Sequence, residues 1–241
     1  PRTVSHSRPQ AWAHLRNMPT PSASIPRAAA WMAGWLTLMV VIAVAGREAT
    51  RELSVFQVML LRSVLGLGML WPLIHAAGGM QAMKTQRLAQ HVARNVVHYA
   101  AQYGWFVALT LIPLAQVVAL EFTMPIWSAA LAVAVLGERM NRWKVLAVAL
   151  GLAGVAVIVR PAATGLNPGQ GIALVAAVGF AVSVVLVKSL TRTDTAIQVS
   201  FWMLVVQIVI GLVPALLVWQ RPSAEVWGWV VVVAFCGAFS H

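Results

Sequence analysis

Residues 115–136 read AQVVALEFTMPIWSAALAVAVL, a run of 22 residues in which Glu121 is the one ionisable group. About 20 apolar residues of helix cross the ~30 Å of hydrocarbon in a bilayer, so a run of this length reads as a membrane span. Lipid offers the backbone no hydrogen-bond partner, which leaves helices or closed barrels, and the alternation that barrel strands need is absent. Working outward, seven further apolar runs cover residues 28–45, 55–77, 95–112, 143–159, 171–189, 197–219 and 226–241. Only the Ile112–Pro113 region separates the third and fourth spans, and the fifth ends at Arg160–Pro161. The expected fold is an all-α integral membrane protein with a bundle of about eight transmembrane helices.

Composition agrees. Sixty per cent of residues are apolar and 10% are charged, against about 25% charged in soluble domains, and mean hydropathy is +0.81. Trp31, Trp71, Trp143, Trp219, Trp227 and Trp229 lie near the ends of runs, as an interfacial aromatic belt requires. A net charge of +11 could suggest a nucleic-acid partner. The basic residues instead fall in short loops between spans and form no stripe, so no nucleic acid is expected. A single Cys236, inside an apolar run, excludes an internal disulfide framework and a cysteine-rich metal site, and reads as a packing residue.

Residues 1–27 are polar and basic with no acidic residue, and read as a disordered cytoplasmic tail. The basic flank, apolar core and Ala43-Val44-Ala45 also resemble a signal peptide. The 18-residue core is longer than the ~7–15 of a signal segment, which favours a retained helix. With the N-terminus inside, twelve of the 17 Lys and Arg residues fall on the cytoplasmic side. Arg47, Arg51, Arg160 and Arg221 fall outside, and Arg62 lies within a span. That bias orients a multi-pass protein of the inner (cytoplasmic) membrane with its N-terminus in the cytoplasm.

Arg62 and Glu121 interrupt the second and fourth spans, each about seven residues, or ~10 Å, below the outer surface. Charges at membrane depth mark pathways, binding sites or paired struts. The two could gate or bind a charged solute, form a permanent bridge, or leave Arg62 snorkelling to headgroups. The third span carries Asn95, His98, Tyr99, Gln102 and Tyr103, with His98/Gln102 and Tyr99/Tyr103 each four apart on adjoining stripes of one helix face. That face either lines a cavity or bonds to other helices. His98 could titrate near neutrality or be a plain interfacial histidine. Thr123 and Trp127, with Trp105, Gln116 and Met124, are further wall candidates, although packing is the commoner role for Trp127. Gln57 and Gln207 are the polar positions of the second and seventh spans. Pro125 should break the fourth helix just after Glu121. Gly151 and Gly154 suggest close packing of the fifth helix, without true Gly-x-x-x-Gly spacing. Glu138 and Arg139 read as a solvated helix-end pair.

Displacing the chain on itself by about 142 residues lays Pro72 of the second span on Pro214 of the seventh, with the preceding polar linkers in register. Five spans would then form one repeat and the remaining three the start of a second, inverted one. The eighth run stops at Gly237-Ala-Phe-Ser-His241, so about two and a half helices of that second repeat are expected beyond it.

The stretch Ala119-Leu-Glu-Phe-Thr-Met-Pro-Ile-Trp127, running to Leu136-Gly-Glu138-Arg139, resembles the end of the first repeat in EamA-type members of the drug/metabolite transporter superfamily. Phe56-Gln-Val-Met-Leu-Leu-Arg62-Ser63 resembles that family's second helix, and Gly171 to Lys188 the start of its second repeat. The resemblance implies a first repeat over 28–160 and an incomplete second over 161–241, taken from a ten-helix (5+5) carrier with a central cavity. It further implies a small organic solute such as an amino acid, a nucleotide-like cofactor or a vitamin.

The expected function is therefore secondary transport of a small metabolite by alternating access. A proton or an exchanged solute would serve as coupling partner, and a homodimer is a further expectation. No cofactor is expected. The rival is a non-transporting membrane scaffold, which needs no buried charge or polar stripe. A channel would want a ring of like charges. An enzyme would want a catalytic constellation, and His6, His14, His75 and His91 scatter through the tail and loop edges. No Walker loop, Gly-x-Ser-x-Gly or His-Glu-x-x-His occurs.

Overall fold

A computed structural model describes residues 25–136, 141–159 and 167–239. The chain divides at Thr37/Leu38 into two units. The first is helical from Ile25; the rest of the architecture belongs to the second. The helices are α1 (Ile25–Glu52), α2 (Val55–Ala76), α3 (Leu88–Leu111), α4 (Leu114–Glu121), α5 (Met124–Leu136), α6 (Arg142–Val159), α7 (Pro168–Leu190), α8 (Ala196–Leu217) and α9 (Ala224–Phe239), with a 3₁₀ turn at Gly79–Gln81. No strand occurs among the described residues. The protein is an all-α, multi-pass membrane protein.

Over its described residues each expected span falls on helix, with three adjustments. The fourth is two helices. Pro125 has no N–H to give the Glu121 carbonyl one turn back, so the ladder stops there. Thr123 bridges the break: its carbonyl accepts from the N–H groups of Ile126 (2.9 Å) and Trp127 (3.3 Å), and its hydroxyl donates to the Leu120 carbonyl (2.6 Å). The third helix starts at Leu88, seven residues or about two turns before residue 95. Arg94, counted above as a loop cation, is therefore a buried helix residue that donates to Asn95 Oδ1 (2.7 Å); the loop bias loses one residue and keeps its direction. Helix α1 begins at Ile25, inside the expected 1–27 tail, whose first 24 residues lie outside the described ones. Glu138, Arg139, Arg160, Pro161 and His241 also lie outside them.

Among the described residues, five segments are long and apolar enough to cross a bilayer: Ala30–Glu52, Val55–Ala76, Leu114–Leu131, Pro168–Leu190 and Ala196–Leu217. Val145–Val159 and Ala224–Ala238 are shorter apolar helices. That is three fewer than the eight expected: the fifth and eighth fall short in length, and α3 carries His91, Arg94, Asn95, His98 and Gln102 in its interior. Helix α3 can carry them because it is enclosed by α7, α8 and α2. The outward surface is apolar, with Val175, Val213 and Leu217 among its most exposed side chains, as lipid contact requires.

Small residues set the closest approach of α3 and α7. A Cβ on Gly179 would fall 2.8 Å from Ala101 Cβ, and one on Gly104 would fall 3.5 Å from Ile172 Cγ2. The pair flagged in the sequence does not do this. Around Gly154 there is open space, and a Cβ on Gly151 would meet only Ile126, at 3.9 Å.

Helices α2 and α8 begin alike. The Ser54 hydroxyl caps α2 by accepting from Gln57 N (3.3 Å), and the Thr195 hydroxyl caps α8 by accepting from Gln198 N (3.3 Å). Such caps occupy N–H groups that the helix leaves free. Each helix also contains a proline near its C-terminal end, Pro72 and Pro214.

Candidate functional site

Arg62 is the eighth residue of α2 and is 2% exposed. Its guanidinium donates through Nη1 and Nη2 to the Gln102 amide oxygen of α3, with that amide assigned in the orientation that satisfies both its ends. The Gln102 nitrogen then donates to Gln207 Oε1 of α8 (3.3 Å). The Ser63 hydroxyl shares its one proton between the Met59 carbonyl (2.8 Å) and the same oxygen (3.2 Å). Helix α9 lies over this cluster at Gly237, where a Cβ would sit 3.0 Å from Arg62 Nη2. Tyr99, one turn before Gln102, points its hydroxyl at Gly211 of α8, where a Cβ would sit 2.8 Å from it. Four helices thus converge on one cation. No carboxylate among the described residues comes within 4.0 Å of it.

Arg62 and Glu121 do not form the expected pair. Glu121 accepts instead from Trp105 Nε1 of α3 (2.8 Å). The reason lies in the packing, since α2 lies chiefly against α8 and α9 whereas α4 lies against α7 and α6. Two oppositely charged groups are consequently held by different residues of α3.

The stripe on α3 also divides. Gln102 and Tyr99 face α2 and α8, whereas His98 Nδ1 lies 3.2 Å from Ser183 Oγ of α7 and its ring packs on Phe180. Tyr103 stacks on Phe56 of α2 at 4.6 Å. Thr123 and Trp127 bond to each other across the α4–α5 break (3.1 Å). Gln116 accepts from Gln170 of α7 (3.1 Å). Of the candidates named from the sequence, Arg62 and Gln102 are in direct contact, and Tyr99 lies one turn from Gln102 on the same helix with its hydroxyl at Gly211. Gln207, which the sequence marked only as the polar position of its span, joins them.

Polar contacts close both ends of the bundle. At the end where α2 begins, Gln57 docks edge-on against the α8–α9 linker: Nε2 donates to the Gln220 carbonyl (2.6 Å) and Oε1 accepts from Gln220 N (3.1 Å). Beside it Glu52 accepts from the Ser223 amide (2.6 Å) and hydroxyl (2.7 Å). At the end where α2 finishes, the Gln198 amide nitrogen donates to the carbonyls of Ala82 (2.8 Å) and Lys84 (3.0 Å). Trp202 Nε1 donates to the Met83 carbonyl (2.9 Å). There His91, placed by the sequence among scattered loop-edge histidines, is fully buried and meets Asp194 at 2.6 Å. Thr85 donates to the same carboxylate oxygen (2.7 Å). Burial opposes the charge on Asp194, but the bonds from His91 and Thr85 outweigh it and hold its pKa below the usual carboxylate value. No local signal reveals this pair, because 103 residues separate its members.

A groove of about 630 Å³ runs between α3 and α7, lined by Val97, Ala101, Gly104, Ile172 and Ala176 among others. All its lining side chains are apolar, and the Arg62 cluster is not part of it.

Residues 27–160 match the EamA-like transporter family. Among curated proteins, the chain is 27% identical over 163 residues to the S-adenosylmethionine uptake transporter of Rickettsia prowazekii (strain Madrid E), covering 67% of this chain and 55% of that protein. It is 26% identical over 197 residues to the protein of that name from Rickettsia conorii, covering 79% and 66%. It is 29% identical over 185 residues to the riboflavin transporter of Brucella anthropi, covering 73% and 63%. The chain thus spans 55–66% of the length of these relatives. A solved structure described only as a crystal structure of a protein superposes with a TM-score of 0.63 at 20% identity, over 88% of this chain and 78% of that one.

Proposed function

The chain belongs to the EamA-like transporter family, and from that premise we propose that it is the larger part of a secondary carrier for a small organic metabolite. One observation carries the reading: a buried cation and its amide partners sit at the meeting of α2, α3, α8 and α9, with hydrogen-bonding groups unspent. A scaffold gains nothing from an uncompensated charge inside a bundle, where ionisable groups are expensive. The relatives named for S-adenosylmethionine and riboflavin supply the first solutes to try, both polar and heteroaromatic.

The mechanism we propose is alternating access between two repeats, 28–160 and 161 onward, in an inner membrane with the N-terminus cytoplasmic. Its support is a reciprocal docking. Gln57, third residue of α2, grips the linker after α8, and Gln198, third residue of α8, grips the loop after α2. An inverted repeat places equivalent contacts at opposite ends in this way. The Gln57 contact is then the outer latch and the Gln198 contact, with His91 and Asp194, the inner one. Thr123 and Trp127 brace the break in the fourth span, and His98 joins the repeats at Ser183. A proton or an exchanged solute drives the cycle.

The latches make opposite predictions for two variants of the full-length protein in membranes. In Gln57→Ala, a cysteine placed at Ser63 should react several-fold faster with an impermeant thiol reagent added outside. In Gln198→Ala the same cysteine should gain reactivity from the cytoplasmic side only. Equal changes on both sides in either variant would overturn the latch assignment.

A further inference from the structure

We propose that the Arg62 cluster is a subsite for the carboxylate of a monoanionic or zwitterionic solute. This subsite rests on the carrier reading above and follows from how the hydrogen-bonding groups around Arg62 are paired. The cluster has two amide oxygens to offer, and both are spent. Gln102 Oε1 takes the two terminal nitrogens of Arg62, and Gln207 Oε1 takes Ser63 and Gln102. What remains buried without a partner is Arg62 Nε, Gln207 Nε2 and the Tyr99 hydroxyl. Those groups belong to side chains at most 6% exposed. Two of the three can only donate, and the hydroxyl can donate.

A cluster whose amide oxygens are spent and whose unpaired nitrogens can only donate is complementary to a group that only accepts. A ligand amide or hydroxyl would bring further protons to a place already rich in them. A carboxylate brings two accepting oxygens and suits the planar guanidinium. Charge selects among oxyanions. Arg62 is the one formal charge in the cluster, so one negative charge neutralises it, whereas a phosphate dianion would leave a net charge buried. Gly237 completes the picture, because its lack of a side chain lets α9 cover the guanidinium. A solute oxygen reaches Nε only when α9 withdraws, which links ligand entry to movement of that helix.

The test uses the full-length protein in detergent, with benzoate, its neutral isostere benzamide and inorganic phosphate as probes and the thermal midpoint as readout. Benzoate should raise the midpoint with an apparent affinity at least tenfold better than benzamide or phosphate. Gln102→Glu places a carboxylate on the guanidinium permanently, so it should raise the midpoint without ligand and abolish the benzoate effect. Arg62→Gln should bind benzoate and benzamide equally. Its unliganded midpoint should equal or exceed that of the wild type, because an uncompensated buried charge has gone. The proposal fails if benzamide or phosphate matches benzoate, if no probe shifts the midpoint, or if Gln102→Glu still responds. It also fails if Arg62→Gln keeps the discrimination or unfolds, the mark of a purely structural arginine. Solute flux that persists in Arg62→Gln would remove the subsite and leave the carrier; carboxylate binding without flux would do the reverse.

Discussion

Replacing Gly179 by Leu should cost about 3 kcal/mol, at the upper end of the range for overpacked sites. A Cβ at that position already falls 2.8 Å from Ala101 Cβ and 3.6 Å from Ala101 Cα, so no side-chain rotation relieves the clash and α3 must separate from α7. In a bilayer, where lipid is as apolar as the helices, close packing of this kind is a main source of cohesion. Gly154→Leu is the control, since nothing lies within 4 Å of a Cβ there. It should change stability by less than about 0.5 kcal/mol. Unfolding of the two variants in mixed micelles, followed by circular dichroism, compares them directly. Equal losses would show that the α3–α7 contact is not what holds these helices together.

Asp194→Ala should be nearly as damaging, at about 3 kcal/mol, because it leaves the fully buried His91 and the Thr85 hydroxyl without their shared acceptor. Asp194→Asn keeps an acceptor and should lose about half as much. The same carboxylate gives a pH dependence of definite sign. Its folded pKa is depressed, so its contribution is complete above the unfolded value, near 3.8, and fades as pH falls through the lower folded value. The difference in stability between wild type and Asp194→Ala should therefore be constant from pH 5 upward and shrink below pH 4. A difference that instead shrank between pH 5 and 7 would place the titration on another group.

The spans were legible because their signal is local: twenty apolar residues are visible whatever they pack against. The break after Glu121 was legible for the same reason, since Pro125 lacks its N–H in any environment. Helix α3 shows where this stops. Its first turns are polar enough to pass for loop, and only enclosure by three neighbours makes Arg94 and Asn95 helix-interior residues. The site was half legible. Arg62 stood out as a charge in an apolar run, yet its partners are amides, which carry little weight in any hydropathy pattern. Glu121 was the obvious mate by sign and depth, and the packing gave it to Trp105. His91 with Asp194 and Gly179 against Ala101 depend on which helices touch, information that no single run contains.

Solute counterflow into proteoliposomes tests the central claim most directly. Vesicles holding the full-length protein would be preloaded with unlabelled S-adenosylmethionine or riboflavin, then diluted into trace labelled solute. A carrier that alternates around one buried site predicts transient accumulation of label above equilibrium, saturable and faster with internal solute than without. Flux that rises linearly with concentration and ignores internal solute, or no flux of either compound or of mixed amino acids, would contradict it.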